Sequence, residues 1–469
     1  MEHQEKDERR VPAHEKFTED AAAERPYVGT SLETRDGHDI VYPSGWRLCF
    51  VLAGIWISFY LVNLEVTIVS TSLIAMTDEL KGFDKTGWIT TAFLSTFTGF
   101  MSVWTKVGDI IGRKKTILAA DVMFLLFSLG CGLSQTADQL LPPGFLAVSM
   151  LFFAMPPNYG SVAPKPLSYL KPSMWLFRQL DIVGTLLLLT GAILLVAVLN
   201  EAVCGLSWVA FFTWEWVVSE KIADFEQIFP RRALYNRAWI GMLIATFVSG
   251  CPWNVVVVYL TQRLQILTKA SPLMAGVRLI PYSAVSTIFT SAANLASLKG
   301  RIPFVYFALA GSILHIVGMV LLSCLPETNE FPAAGYAYEV IAGAGIGTTI
   351  GILILAVPYV VETRDLAIAT GAMNQGRFLG GAIGLSIASN ILSDKLHAKL
   401  DGKMPSEELD RLLEAVSIIP TLPTNLQALV EKAFAEGYTM QFRVMIAFTA
   451  VQVPASLLLL RRRRQYVVE

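Results

Sequence analysis

Apolar and polar positions along the chain segregate into long blocks. Runs of about 20 Leu, Val, Ile, Phe, Ala and Gly residues occupy approximately 47–72, 86–105, 116–134, 182–200, 238–260, 276–297, 303–325, 335–361, 366–392 and 441–460. Each is long enough to cross a hydrocarbon layer about 30 Å thick as a helix. Two further runs are shorter. Residues 141–157 hold Phe145 to Met155 between Pro142-Pro143 and Pro156-Pro157, and 205–219 carry Glu215 among Trp208, Trp214 and Trp216. The pattern predicts an all-α membrane protein of about 12 spans, ten firm and two short.

Cations in the connecting loops decide the count, because short loops rich in Lys and Arg stay on the cytoplasmic face. With twelve crossings and an inner N-terminus, the inner loops hold eighteen cations and the outer loops nine. The inner set includes Lys106, Lys165, Arg178, Arg237, Lys299 and Arg301, ending in Arg461–Arg464. Ten crossings would place Lys165, Lys171 and Arg178 outside. Both termini are therefore expected to be cytoplasmic. Residues 1–46 carry 11 acidic and 6 basic side chains and no apolar segment, so they read as a disordered tail rather than a cleaved signal. The expected division is this tail, an N-terminal bundle at 47–157, a linker with extra spans at 158–237, a C-terminal bundle at 238–460 with an outer loop at 394–440, and a basic tail at 461–469.

Composition narrows the function. Of the 469 residues 54% are hydrophobic and 16% charged, a balance that calls for lipid as a partner. A net charge of -1 gives no field for nucleic acid. No G-x-x-x-x-G-K-[ST] loop is present to cradle ATP phosphates. His315 is the one histidine inside a span and reads as a satisfied core side chain, so no metal is expected. His3, His14 and His38 belong to the tail, and the five cysteines lie in or beside apolar runs as free thiols. The chain is not expected to be an enzyme or to need a cofactor.

Between spans two and three runs Thr105-Lys106-Val107-Gly108-Asp109-Ile110-Ile111-Gly112-Arg113-Lys114-Lys115, a polar hinge facing the inner leaflet, and a Gly-Arg pair recurs at Gly300-Arg301. Here the chain resembles the major facilitator superfamily, whose loop reads roughly G-x-L-a-D-r-x-G-R-K-x. Asp109, Gly112, Arg113 and Lys114 match, while Thr105 and Ile110 depart from it. Span one, with Asn63-Leu64-Glu65-Val66-Thr67-Ile68-Val69, is similar to the L-D-x-T-I-V signature of the fourteen-span drug:proton antiporters, with Glu65 in place of Asp. Pro358-Tyr359, Asp365 and Asn374-Gln375-Gly376-Arg377 onward match the same branch. That resemblance implies major facilitator-type helical bundles and proton-coupled efflux of a small-molecule substrate, a drug, toxin or secondary metabolite, across the plasma membrane. The motifs of spans four and five and the start of six are missing, since Leu140 runs directly into Leu141-Pro142-Pro143. An incomplete N-terminal bundle follows, and with it the alternative of a non-transporting, shortened relative.

Inside the spans, Glu65 is a proton or substrate site, or a protonated or paired structural side chain; a dry bundle favours the neutral carboxyl. Arg377, placed toward the inner end of its span, pairs with a carboxylate or anionic group, or snorkels. Asp121 is a site or a helix contact. Gly343, Gly347 and Gly351, and Gly376, Gly380 and Gly384, recur at four-residue spacing and mark smooth faces for close helix packing, on each other or sliding during gating.

Overall fold

A computed structural model of the chain describes residues 236–300, 302–326, 331–361 and 366–460, with 45, 46, 49–51, 53, 54, 57, 70–75, 78, 83, 94, 116–122, 125 and 213. All regular structure among the described residues is helical. The C-terminal elements are α1 (Arg237–Val255), a π-helical turn (Val256–Leu260), α2 (Thr261–Leu267), α3 (Pro272–Gly300), α4 (Phe304–Ser323), α5 (Ala333–Val360), α6 (Leu366–Leu400), α7 (Ser406–Glu414), a 3-10 turn (Val416–Thr421) and α8 (Thr424–Leu457).

Four of these are long and apolar enough to cross a membrane: Arg237–Leu267, Pro272–Leu298, Phe304–Ser323 and Ala333–Val360. They coincide with expected spans 238–260, 276–297, 303–325 and 335–361. Helices α6 and α8 cover the remaining two expected runs and extend well beyond them. Residues 394–440 are consequently no irregular loop: α6 continues to Leu400, α7 and the 3-10 turn follow, and α8 has begun by Thr424. The polar composition of this stretch disguised helix that projects beyond the apolar layer. Lys399–Glu436 at 2.9 Å ties its ends together, and Lys269–Glu431 at 3.5 Å joins it to the connection between α2 and α3.

Helix α5 lies between α3 and α4, α4 beside α8, α8 beside α1, and α1 beside α6. The ends of α1, α5 and α8 meet around Asn236 and Arg237, the basic end. There Asn236 caps α1 by accepting from the Ala238 amide at 3.2 Å and donates to the Val360 carbonyl at 2.8 Å, while Arg237 donates to the Leu460 carbonyl. One apolar cluster, with Trp239, Met242, Phe304 and Leu353, fills this end; another, with Tyr259, Leu385, Phe434 and Phe442, fills the middle and the far end. The outer faces of α3 and α4 present Leu273, Ile280, Ile288 and Ile313, a surface suited to a hydrocarbon phase.

Close approach is set by glycine. A Cβ at Gly343 or Gly347 would collide with the Tyr282 or Ser286 carbonyl of α3, and one at Gly351 would lie 2.9 Å from Thr290. The Thr290 hydroxyl donates across this seam to the Gly347 carbonyl at 2.8 Å. On α6, a Cβ at Gly380 would collide with the Phe247 carbonyl and one at Gly384 would sit 2.7 Å from Cys251, whereas Gly376 keeps 3.6 Å from Leu243. The two stripes thus pack on α3 and α1 respectively, not on one another.

Helix α1 carries Pro252 near its end and gives way to the π turn after Val255. The Thr261 amide bonds the Val258 carbonyl instead of continuing the regular ladder, and its hydroxyl donates to Val257 and Val258 carbonyls at 2.9 and 2.7 Å.

Candidate functional site

Polar groups buried among the apolar helices mark the candidate site, because each costs free energy that packing alone does not return. His315 on α4 lies fully buried with Nδ1 3.3 Å from Gln452 Oε1 on α8, and the Ser312 and Ser456 hydroxyls pair at 3.3 Å one turn toward the basic end. Gln441 on α8 donates to the Ala388 carbonyl of α6 at 2.7 Å. These contacts staple α8 to α4 and α6. Arg377 stands eleven residues into α6, deeper than a position near the helix end, with its backbone against Gly250 of α1 and its guanidinium 4.8 Å from the Phe378 ring. Its Nε is buried without a hydrogen-bond partner.

Glu339 escaped the reading of the sequence. It is the one charged residue of α5, fully buried, and neither carboxyl oxygen has a hydrogen-bond partner. The available signal was a single Glu inside the 335–361 apolar run.

A second group of contacts joins Thr71, Asp78 and Phe83 to the far end of the C-terminal bundle. Gln265 donates to the Thr71 carbonyl at 3.0 Å, the Val416 amide donates to Asp78 Oδ1 at 2.8 Å, and Phe83 meets Phe434 edge to face with centroids 6.0 Å apart. Leu73 and Phe83 are buried in the same apolar cluster as Leu412 and Phe434. Partial burial raises the Asp78 carboxyl above its ordinary range, while the Val416 and Ser417 amides oppose the rise.

Glu65, Asp109, Gly112, Arg113 and Lys114 lie outside the described residues, as do the Leu140–Leu141 junction and the short run 141–157. Asp121 is half-buried and engaged by a neighbouring group. Among the described residues no three His, Cys, Asp or Glu side chains converge as metal ligands.

No family model matches the chain. Individual relatives do. The MFS-type transporter FPY5 of Fusarium mangiferae is 27% identical over 508 residues, covering 90% of this chain and 85% of that protein. The multidrug resistance protein fnx1 of Schizosaccharomyces pombe is 24% identical, covering 85% and 90%, and a probable efflux pump, gsfJ of Penicillium aethiopicum, is 24% identical, covering 91% and 85%. The crystal structure of a bacterial homologue of the human lysosomal transporter Spinster, inward-facing and occupied, shares the fold with a TM-score of 0.53 at 13% identity, covering 89% of this chain and 97% of that one. Over most of its length the chain is similar to transporters of the major facilitator type. This likeness and the apolar helices support a multi-pass membrane protein and a secondary transporter, and the buried polar groups of α4, α5, α6 and α8 are its candidate working parts.

Proposed function

We propose that the chain is a proton-coupled exporter of small organic molecules, a drug, toxin or secondary metabolite, alternating between states open to either side of the plasma membrane with both termini cytoplasmic. The observation that carries this reading is the closure of Thr71, Asp78 and Phe83 on the far end of the C-terminal bundle: Gln265 on Thr71, Val416 on Asp78 and Phe434 on Phe83 are non-covalent contacts of the kind a gate needs. Relatives named as a multidrug resistance protein and an acetylaranotin efflux transporter support the direction and the substrate class. In this reading Glu65 carries the proton, Arg377 meets a carboxylate or anionic substrate group, and Asp109, Gly112, Arg113 and Lys114 form the gating loop. Expression in a yeast strain stripped of its own pumps tests it. Export of a fluorescent drug should collapse with a protonophore and with Glu65→Gln at unchanged membrane insertion. Wild-type export by that variant removes Glu65 from the mechanism.

A second reading is favoured by one observation. The match to the Fusarium transporter extends over 508 residues against the 469 of this chain, so that relative carries segments without a counterpart here. The direct Leu140–Leu141 junction is where the sequence places the loss. A shortened bundle would expose polar groups to lipid and transport weakly or not at all. Splicing in the corresponding segment of a full-length relative should then restore export, whereas robust export by the short chain at matched expression excludes this reading.

A further inference from the structure

Glu339 sits two turns from the far end of α5, at 0% exposure, with both carboxyl oxygens unpartnered. Gly343, one turn on along the same face, lies flat on the Tyr282 backbone of α3, so the carboxyl is held against α3 as well. It faces the Tyr282 backbone without reaching hydrogen-bond geometry, and the Tyr282 hydroxyl is buried and equally unpartnered. The Trp253 ring of α1 closes this corner, 5.2 Å from the Tyr282 ring.

Charges on the surrounding helices are directed elsewhere. Tyr282 is the titratable group that faces Glu339. Arg278 on α3 donates to Thr268 at 3.0 Å, His315 on α4 is paired with Gln452, the Cys251 thiol on α1 donates to the Gly380 carbonyl at 3.0 Å, and Arg377 on α6 stacks on Phe378. No cation lies within ion-pair distance of Glu339 among the described residues. An ionised carboxylate with neither a counter-ion nor a donor is not tolerated in an apolar interior.

We propose that Glu339 is a proton-binding site of the C-terminal bundle: its carboxyl holds one proton while α5 is seated on α3 and yields it to water when the far end opens. In the release step the carboxyl O–H bond breaks, its electron pair stays on the oxygen, and the proton passes to a water molecule. The glycine seam of α5 permits the movement, because among the described residues a single side-chain hydrogen bond, Thr290 to Gly347, crosses it. The holding half rests on geometry alone; the release half rests on the transport reading above.

Infrared spectroscopy of the full chain in lipid vesicles at neutral pH tests both. The wild type should show a protonated-carboxyl C=O band that is absent from Glu339→Gln and displaced in Glu339→Asp. The conservative Glu339→Asp variant answers the question if Glu339→Gln does not fold. A carboxyl region identical in wild type and both variants overturns the proposal. In vesicles with an internal pH dye, Glu339→Gln should lower the proton flux that accompanies drug movement at least several-fold, with Glu339→Asp restoring part of it. An unchanged flux overturns the release half, whereas the infrared band with no transport at all counts against the exporter reading and leaves the proton site standing.

Discussion

Replacing Gly347 by Ala tests the α3–α5 seam. The new Cβ would meet the Ser286 carbonyl, a backbone atom that cannot rotate away, so one helix must retreat by about 1 Å. Overpacking of this kind costs about 1–3 kcal/mol. The retreat also stretches the Thr290–Gly347 hydrogen bond, now 2.8 Å, for about 1 kcal/mol more. Together these give a loss of roughly 2–4 kcal/mol. Gly376 provides the control: its nearest neighbours stand at 3.6 and 4.0 Å, ordinary contact, so Ala there should be neutral or stabilise by up to about 1 kcal/mol through helix propensity. Thermal unfolding of detergent-solubilised protein, followed by loss of monodisperse elution, reads the contrast as a midpoint several degrees lower for Gly347→Ala and unchanged or higher for Gly376→Ala. Equal midpoints for the two variants would refute the argument that backbone proximity, and not the glycine spacing, sets the cost.

Three further outcomes are expected. Asp78 has its carboxyl raised above 3.8 in the closed arrangement, so it favours closure as the pH falls through the range just above that value and disfavours it once ionised; the distance between spin labels attached at Thr71→Cys and Gln265→Cys should shorten on acidification, and Asp78→Asn should flatten the dependence. Gln452→Ala leaves the buried His315 ring without its partner and should cost about 1–3 kcal/mol in the same unfolding assay, whereas joint replacement of both by Leu should recover most of it. Asp109→Asn should lower the maximal export rate more than it raises the half-saturation concentration, because a gating contact is lost and the substrate cavity is not; the reverse pattern in a drug titration would contradict that role.

Hydrophobic run length alone was sufficient for α4 and α5, whose ends at Phe304–Ser323 and Ala333–Val360 follow the apolar limits within a few residues. It failed at α8, which begins seventeen residues before its apolar run, because Glu431, Lys432 and Glu436 make the first turns look like a solvated connector. Those charges serve helices projecting beyond the apolar layer, through the ion pairs with Lys269 and Lys399. Glycine spacing revealed that smooth faces exist, but not what they touch: partner choice depends on the three-dimensional order of helices, which placed Gly347 on Ser286 and Gly380 on Phe247. Glu339 went unnoticed for a different reason. It belongs to no motif, and its meaning lies in the absence of partners around it, a property of packing that a linear string does not carry.

The π turn in α1 gives this helix a fragility of its own. Such a turn behaves as an ordinary helix into which one residue has been slipped, and removing that residue would rotate everything beyond it by about 100°. Up to Cys251 and Asn254 the shaft is meshed with the glycines of α6; beyond Leu260 it presents Gln265 to Thr71 and Arg263 to the Pro326 carbonyl. Deleting Val257 would leave the first engagement intact and swing the second out of reach, uncoupling the far-end closure from the bundle that drives it. Point substitutions among Val255–Val258 exchange one apolar side chain for another, so this segment should be permissive to changes of identity and intolerant of changes of length.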